Sequence, residues 1–426
     1  MNILIISYEA WRNTNNGGNV LSNIFDAFPD ENIAQIYCSG EEPQNSICKK
    51  YYQISDSMLL SDQKGRRLEE KDYSSAGNEQ DMPVENKINS RIPKLLKSAS
   101  QLVREMMWTA MNWKTEELNA FITEFSPDII FAPCYYYYHV SKVALYAKSV
   151  ADCPMISYIS DDNYSLRQIN FYPSFWINRL ITRKWIRRIF AESSLVYTMT
   201  QMQKTEYEKL FGRPMKILCK SAPFEKRNIV PGDPVRFIYA GSLILNRWKI
   251  LAAIADTLAD INKNQIKAQL RIFSGTKLKP RQEKKLNDGK NSILYGLISY
   301  RELEGFYKGS DVAIFAESFD LKNRLLTRLS FSTKIIDCLN SGCAVLAVGP
   351  ENHGGMAYLK DNDAAVCVNN IKALPVAVRK LAESPELIAE YSEKANKLGR
   401  KNHMKADIDE SVRKDFYDIA SGKMPV

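Results

Sequence analysis

The 426-residue sequence has three histidines, no Cys-x-x-Cys pair, no long block of one charge sign and no internal repeat. It also lacks any apolar run of the about 18 residues that a membrane-spanning helix needs. Each absence excludes something. The eight cysteines (Cys38, Cys48, Cys134, Cys153, Cys219, Cys338, Cys343, Cys367) are scattered, several within apolar runs, so they read as reduced, mostly buried thiols of a cytoplasmic protein. Without a spanning segment, membrane contact is limited to peripheral association. The opening MNILIISYEAW has neither a cationic leader nor a small-residue cleavage site, and its apolar stretch ends at Ile6, so a first strand is expected there and not a signal peptide. Lysines and arginines number 58 against 49 acids, a net +9 carried by both signs along the whole chain, which makes a moderately basic surface and does not favour nucleic acid as a partner.

What is present is ordinary globular composition, 45% hydrophobic and 25% charged, at a length that holds two or three domains with full cores. Short β-rich apolar runs at 3–6, 129–132, 155–159 and 195–199, and again at 236–240, 269–273, 291–295, 312–316 and 344–348, alternate with helix-period segments. That alternation predicts α/β architecture: two doubly wound parallel-sheet, Rossmann-like domains facing a cleft. The periodicity breaks at 220–233, where two prolines, a glycine and mixed charge mark a linker. The expected division is an acceptor-side domain over 1–219 with a polar insertion near 61–90, the linker, a nucleotide-binding domain over 234–404, and a last helix over 405–426 that returns to the first domain. Open α/β sheets bind ligands at their carboxyl ends, so two of them in tandem suggest an enzyme with two substrates.

The most informative stretch is 330–350, SFSTKIIDCLNSGCAVLAVGP. Ser332 or Thr333 is expected to cap a helix whose first amides point outward, with Lys334 as a fixed cation beside them, a ready diphosphate site. Asp337 lies one turn further on the same side, placed to accept hydrogen bonds from ribose hydroxyls. Ser341-Gly342 ends the helix before the next buried strand.

Ser332-Thr333-Lys334, Asp337 and Ser341-Gly342-Cys343-Ala344-Val345 resemble the PSKxxEYLASGxPV signature of GT-B nucleotide-sugar glycosyltransferases, in the retaining family-4-like group. The resemblance covers most of the second domain. Tyr239-Ala240-Gly241-Ser242 followed by Arg247 and Lys249 is similar to the family's Y-x-G…R/K strand and loop. Phe273-Ser274-Gly275, Tyr295-Gly296-Leu297 and 313–316 fall in the expected order, and His353-Gly354-Gly355 resembles the following glycine loop. In the first domain the opening strand, Gly17-Gly18, Pro127-Asp128 and 191–212 carry a looser likeness.

The resemblance implies transfer of a sugar from a nucleoside diphosphate sugar to a glycan or lipid-linked acceptor, with retention and without metal or other cofactor. It assigns Gly241, Ser242, Arg247, Lys249, Ser332, Thr333 and Lys334 to the donor diphosphate, Asp337 to ribose, and Gly275, Gly296 and Leu297 to the base. Gly17, Gly18, Asp161, Asp162 and His353 fall to acceptor or sugar, with Arg247, Lys334 and Asp161 as the catalytic set. As the glycosidic bond breaks, negative charge grows on the leaving diphosphate, and preorganised cations stabilise it.

Two departures stand out. The group's paired carboxylates sit eight apart; the second is Asp337, but the first falls on Leu329, and Glu317 and Asp320 are the nearest acids able to reach in. Ser160-Asp161-Asp162-Asn163 stands where the group often has a histidine, and reads either as a hydroxyl-binding pair or as a turn pair. The stretch 175–190 interleaves aromatics with Arg179, Arg183, Lys184, Arg187 and Arg188: a solvated cationic face, or one suited to peripheral contact with an anionic membrane. His139 reads as a packed neighbour of the Tyr135–Tyr138 run or as a general base, and His403 as a surface residue. A catalytically degenerate GT-B protein that only binds nucleotide or sugar, and a GT-B nucleotide-sugar epimerase, are the competing readings.

Overall fold

The structure is a computed structural model that describes residues 1–13, 16–61, 63–69, 94–226 and 230–423. It divides into two compact units: the first comprises 1–199, 204–218 and 409–426, the second 200–203 and 219–408.

The first unit is built on β1 (Asn2–Ser7), β2 (Asn32–Tyr37), β3 (Lys50–Gln53), β4 (Arg66–Glu69), β5 (Ile129–Pro133), β6 (Met155–Ile159), β7 (Leu195–Thr198) and β8 (Lys216–Ile217). They pair in the order β4-β3-β2-β1-β5-β6-β7-β8, all parallel except β4 on β3. Helices cover parallel strands on both faces, and Ile3 through Ile6 are accordingly fully buried in succession. The polar insertion expected near 61–90 needs correction, because Arg66–Glu69 is an edge strand that pairs antiparallel with β3 and buries Leu68. Residues 70–90 of it lie outside the described residues.

The second unit has β9 (Val235–Ala240), β10 (Ala268–Phe273), β11 (Ser292–Tyr295), β12 (Val312–Ala316), β13 (Ala344–Val348) and β14 (Val366–Val368), all parallel in the order β11-β10-β9-β12-β13-β14. Its core joins Phe237, Ile314 and Leu346 from the strands to Ile250, Leu251, Ile254 and Leu258 of the helix Trp248–Ile261. The segment expected as a linker is tied to this unit: the Ala222 amide donates to the His403 carbonyl at 3.0 Å, and the Phe224 ring occupies the space beside Gly399 where a Cβ would stand 2.0 Å from it.

The last helix, Lys405–Ala420, begins in the second unit and ends in the first. Within the first unit Phe416 is fully buried against Phe25, Phe28 and Phe131, and Asp415 accepts from Tyr197 Oη and Lys216 Nζ, both at 2.7 Å. All eight cysteines are free and seven are buried. Among the described residues no helix is long and apolar enough to cross a membrane.

In both sheets the strand order reverses beside the first strand, between β1 and β5 and between β9 and β12. Loops leaving the carboxyl ends of two such neighbours run in opposite directions and open a crevice, where doubly wound sheets hold their ligands.

Candidate functional site

At the switch point of the second unit, Arg247 comes from the loop after β9 and Glu317 from the end of β12. The two meet in a bidentate pair, with Nη2 2.8 and 2.9 Å from the two carboxylate oxygens and Nε 3.3 Å from Oε2. Glu317 is buried, so the pair is fixed by charge-assisted bonds in a poorly solvated place. Nη1 has no partner among the described residues. The loop carrying Arg247 is strained: Leu245 and Asn246 both have positive φ, 57° and 63°. Such conformations persist only when neighbours over-determine them. Here Asn323 Nδ2 donates to the Leu245 carbonyl at 2.8 Å and Asn246 donates to Asp320, tying the loop to the chain that follows β12.

Gly241, at the end of β9, has φ 151°, and a Cβ there would stand 2.1 Å from Cε of Lys334. The missing side chain is therefore the passage through which the lysine reaches the β9 end, with Nζ 5.9 Å from the Tyr239 ring centre. Burial holds the Lys334 ammonium below the usual lysine range, and the Arg247 charge adds to the effect. Two cations held near one another away from bulk water form a strong site for an anion. Gly241→Ala is expected to weaken anion binding at this site about tenfold, roughly 1.4 kcal/mol, by displacing Lys334. Unchanged affinity in calorimetry would disprove that role for the glycine.

The helix Lys334–Asn340 starts differently from the sequence expectation. Thr333 occupies the cap position in helical conformation with no side-chain cap bond, and Ser332 and Thr333 serve the helix through their carbonyls. Asp337 accepts from Lys220 Nζ at 2.5 Å, a partner 117 residues away that sequence reading missed. Lys249 pairs with Asp320 at 3.5 Å on the surface, and Ser242 Oγ contacts Thr276. Around the β10 and β11 ends, Gly275 and the exposed Leu297 are neighbours: a Cβ on the glycine would lie 3.7 Å from the leucine side chain. Gly296 faces open space.

His353 caps the helix Gly354–Asp361. Its Nδ1 accepts from the Gly355 amide at 3.1 Å, so the neutral ring carries its proton on Nε2, which is buried without a partner. It belongs to the second unit. Leu329, at the position of the missing carboxylate, is fully buried core.

The first unit places Tyr8 and Glu9 after β1 and the tyrosine run after β5. The Tyr8 ring lies 4.2 Å from that of Tyr137, and the Arg104 guanidinium sits 5.0 and 5.2 Å from their centres. Arg104 Nη1 donates to Tyr8 Oη at 2.9 Å, and its Nε lies 2.6 Å from Asp56 Oδ2. Burial pushes the Glu9 carboxyl above its usual range. Sequence reading missed Tyr8, Glu9 and Arg104; the only available signal was that two of them directly follow the first strand.

Gly17 and Gly18, expected in a loop, lie in the first turn of the helix Asn16–Phe25, and a Cβ on Gly17 would stand 2.8 Å from Glu9 Oε2. Asp161 is exposed at the β6 end. The sugar-contact expectation for Asp162 is corrected: its carboxylate is buried and accepts from the Tyr164 and Ser165 amides, Ser165 Oγ and Tyr207 Oη, so it holds the turn. His139 is likewise structural, fully buried with Nδ1 2.9 Å from Glu105 and its ring stacked on Trp108. His403 is buried, not on the surface. The cationic helix Pro173–Glu192 satisfies much of its charge internally, with Arg179 buried on backbone carbonyls and Arg183 and Arg187 on Tyr164.

No protein-family model matches the sequence, and no curated protein matches it. Solved structures do. The Anabaena protein HepE in complex with UDP superposes with a TM-score of 0.64 at 12% identity, over 98% of this chain and 100% of that one. Sucrose-phosphate synthase from Thermosynechococcus elongatus gives 0.64 at 12%, over 99% and 100%. The α,α-trehalose 6-phosphate synthase from Burkholderia multivorans gives 0.61 at 12%, over 99% and 97%. Similarity at this identity is a statement about architecture: the chain has the GT-B fold of two doubly wound units that these proteins share.

Proposed function

We propose that the chain is a glycosyltransferase that takes its sugar from a nucleoside diphosphate sugar bound at the β9/β12 switch point of the second unit. The observation that carries the reading is the Arg247–Glu317 pair beside Lys334: a guanidinium held by a buried carboxylate, with Nη1 left to bind a ligand. Charge growing on the leaving diphosphate oxygen is met by these two cations, already in place and poorly hydrated, and loss of one such donor costs about 10²–10³ in rate. In this reading they do the work without a metal. Nε2–H of His353 is a further donor within the same loop set. Asp337 is the ribose acceptor once the nucleotide draws it from Lys220, and Gly275 and Leu297 bound the base. HepE was solved with UDP and with UDP-glucose, so a uridine diphosphate sugar is the first donor to test.

The acceptor, a glycan or a lipid-linked glycan, is assigned to the β1/β5 switch point of the first unit, where Tyr8 and Tyr137 offer aromatic faces and Arg104 and Glu9 offer charge. Transfer with retention follows from the family resemblance; Asp161, exposed at the carboxyl end of β6, is offered as a contact to sugar or acceptor hydroxyls. Thermal denaturation with UDP, GDP, ADP and UDP-glucose tests the donor assignment. One nucleoside diphosphate is expected to raise the midpoint, equally in excess EDTA, because a ligand of the native state adds RT ln(1 + [L]/Kd). Asp337→Ala should lose most of that rise; a full rise in the variant would remove Asp337 from the site, and no rise with any nucleotide would sink the donor reading.

A lipid-linked acceptor would place the enzyme at the inner face of a membrane. Ile177 and Leu180 are exposed on the same helix as the exposed Lys184, which suits an anionic surface. Flotation with phosphatidylglycerol vesicles should then recover the protein, and Ile177→Ser with Leu180→Ser should release it. Equal recovery of parent and variant would rule out this face.

A further inference from the structure

A cavity of about 390 Å³ opens in the helix layer of the first unit, away from the switch point. Its walls come from the loop after the helix Lys94–Ala110 and from the helices Tyr138–Ala151 and Pro173–Glu192. Tyr146, on its wall, stands nine residues beyond Tyr137, roughly 14 Å along a helix axis at 1.5 Å per residue.

Its charge is one-sided. Lys114, Lys142 and Arg188 line it and no acid does; none of the three is in an ion pair among the described residues, although the buried Glu105 carboxylate acts on Lys142 without forming one. Aromatic rings hold them instead. Lys114 Nζ lies 4.8 Å from the Tyr146 ring centre and 5.6 Å from that of Trp113; Arg188 and Lys142 lie 4.7 and 5.5 Å from that of Trp185. The rings are themselves anchored: Trp113 Nε1 donates to the Trp108 carbonyl at 3.1 Å, and Tyr146 Oη to Asn119 at 2.5 Å. Lys142 Nζ donates to Thr109 Oγ1 at 2.8 Å, which leaves two of its three protons for a ligand.

Cation–π contacts of this kind orient a cation without neutralising it, so the three charges converge, preorganised, on a space walled by low-dielectric rings. Three like charges around one cavity attract an anion. The cavity is far larger than a bare phosphate or carboxylate needs and is within the size range of small-molecule sites lined by aromatic walls with few polar groups.

We propose that this pocket binds a saccharide unit carrying a carboxylate or phosphate, with Lys114, Lys142 and Arg188 gripping the anionic group and the Trp113, Tyr146 and Trp185 walls enclosing the ring. Two rim tryptophans make the test direct. Intrinsic fluorescence is titrated with glucose 6-phosphate, glucuronate, glucose and inorganic phosphate, all with UDP present at saturation. Saturable quenching by at least one of the two anionic sugars, at least tenfold tighter than by glucose or phosphate, is expected. Which of the two is tighter identifies the anionic group.

In Lys114→Gln/Arg188→Gln the dissociation constant should rise at least tenfold, while the UDP-induced rise in melting temperature stays that of the parent and certifies the fold. Trp185→Phe should lose most of the quench amplitude. Binding unchanged in the double variant, or no saturable signal with either sugar, overturns the proposal. Phosphate matching glucose 6-phosphate overturns it too, since the site would then recognise no ring.

Discussion

Arg247→Ala is expected to lower sugar transfer by about 10²–10³, the usual cost of removing one preorganised donor from developing negative charge, and also to lower stability. The second effect follows from Glu317. Its carboxylate is buried and receives three contacts from Arg247; without them it is a desolvated charge lacking its counter-ion, and breaking such a pair costs about 3–5 kcal/mol. Removing both partners takes away that unmatched charge. Arg247→Ala/Glu317→Ala should therefore melt above Arg247→Ala while remaining as inactive. Glu317→Ala alone keeps the cation but frees its orientation, so its loss is expected in kcat more than in donor binding, with partial rescue by Glu317→Asp. Arg247→Lys should fall near the alanine variant, because an ammonium cannot make the bidentate pair that aims the group. Initial rates and denaturation midpoints of these variants give the answer. Full turnover in Arg247→Ala would remove the guanidinium from the chemistry, and a double variant no more stable than Arg247→Ala would show that Glu317 carries no stranded charge.

That pair also shows where sequence reading stops. Lys334 and Asp337 stand out by their places on one helix and Arg247 through the family resemblance, but Glu317 is 70 residues from Arg247 and becomes its partner only because β9 and β12 are neighbours across the switch point. The same holds for Lys220 on Asp337. Strands covered on both faces were legible as continuous apolar runs, as in β1, β5, β9 and β12. β2 was not, because Gln35 interrupts it; the amide is fully buried yet satisfied, donating to Ser7 Oγ at 2.6 Å and accepting from the Trp11 amide at 3.0 Å. β4 hides in a polar stretch since an edge strand needs one buried side chain, Leu68, and a partner, not an apolar run. Adjacent acids defeat pattern reading altogether. Nothing in Ser160-Asp161-Asp162-Asn163 tells which carboxylate turns inward, and only the fold puts Tyr207 and the Ser165 amide on Asp162. The start of the first helix was misplaced for a related reason: glycine and asparagine composition suggested a loop at Gly17, whereas the chain uses the absent Cβ to bring a helix up against Glu9.

Acidification from pH 6.5 toward 4 is expected to destabilise the protein through all three of its histidines. His139, His353 and His403 are each buried, and burial holds each below its ordinary pKa; for His403 the value falls to about 4, while Glu105 and Glu317 partly oppose burial at the other two. A base whose folded pKa is depressed stays neutral in the native state while the unfolded chain takes up its proton, so the unfolded state binds more protons between the two pKa values and stability falls as pH falls through that window. Below the folded pKa both states are protonated and the loss levels off. For His403 the window is 6.5 to about 4, worth roughly 3 kcal/mol at 1.36 kcal/mol per unit. Its ring is held between Tyr358 Oη, 2.7 Å from Nε2, and the stacked Phe331, and the one group that favours the protonated ring, the Lys220 backbone, is outweighed by burial. Urea denaturation across pH 4 to 7.5 measures the slope. His403→Gln, able to keep one hydrogen bond to Tyr358, should be less stable than the parent at pH 7.5 but lose about one proton's worth of pH dependence. Parallel profiles for parent and variant would mean that His403 takes its proton in the folded protein, against the burial seen around it.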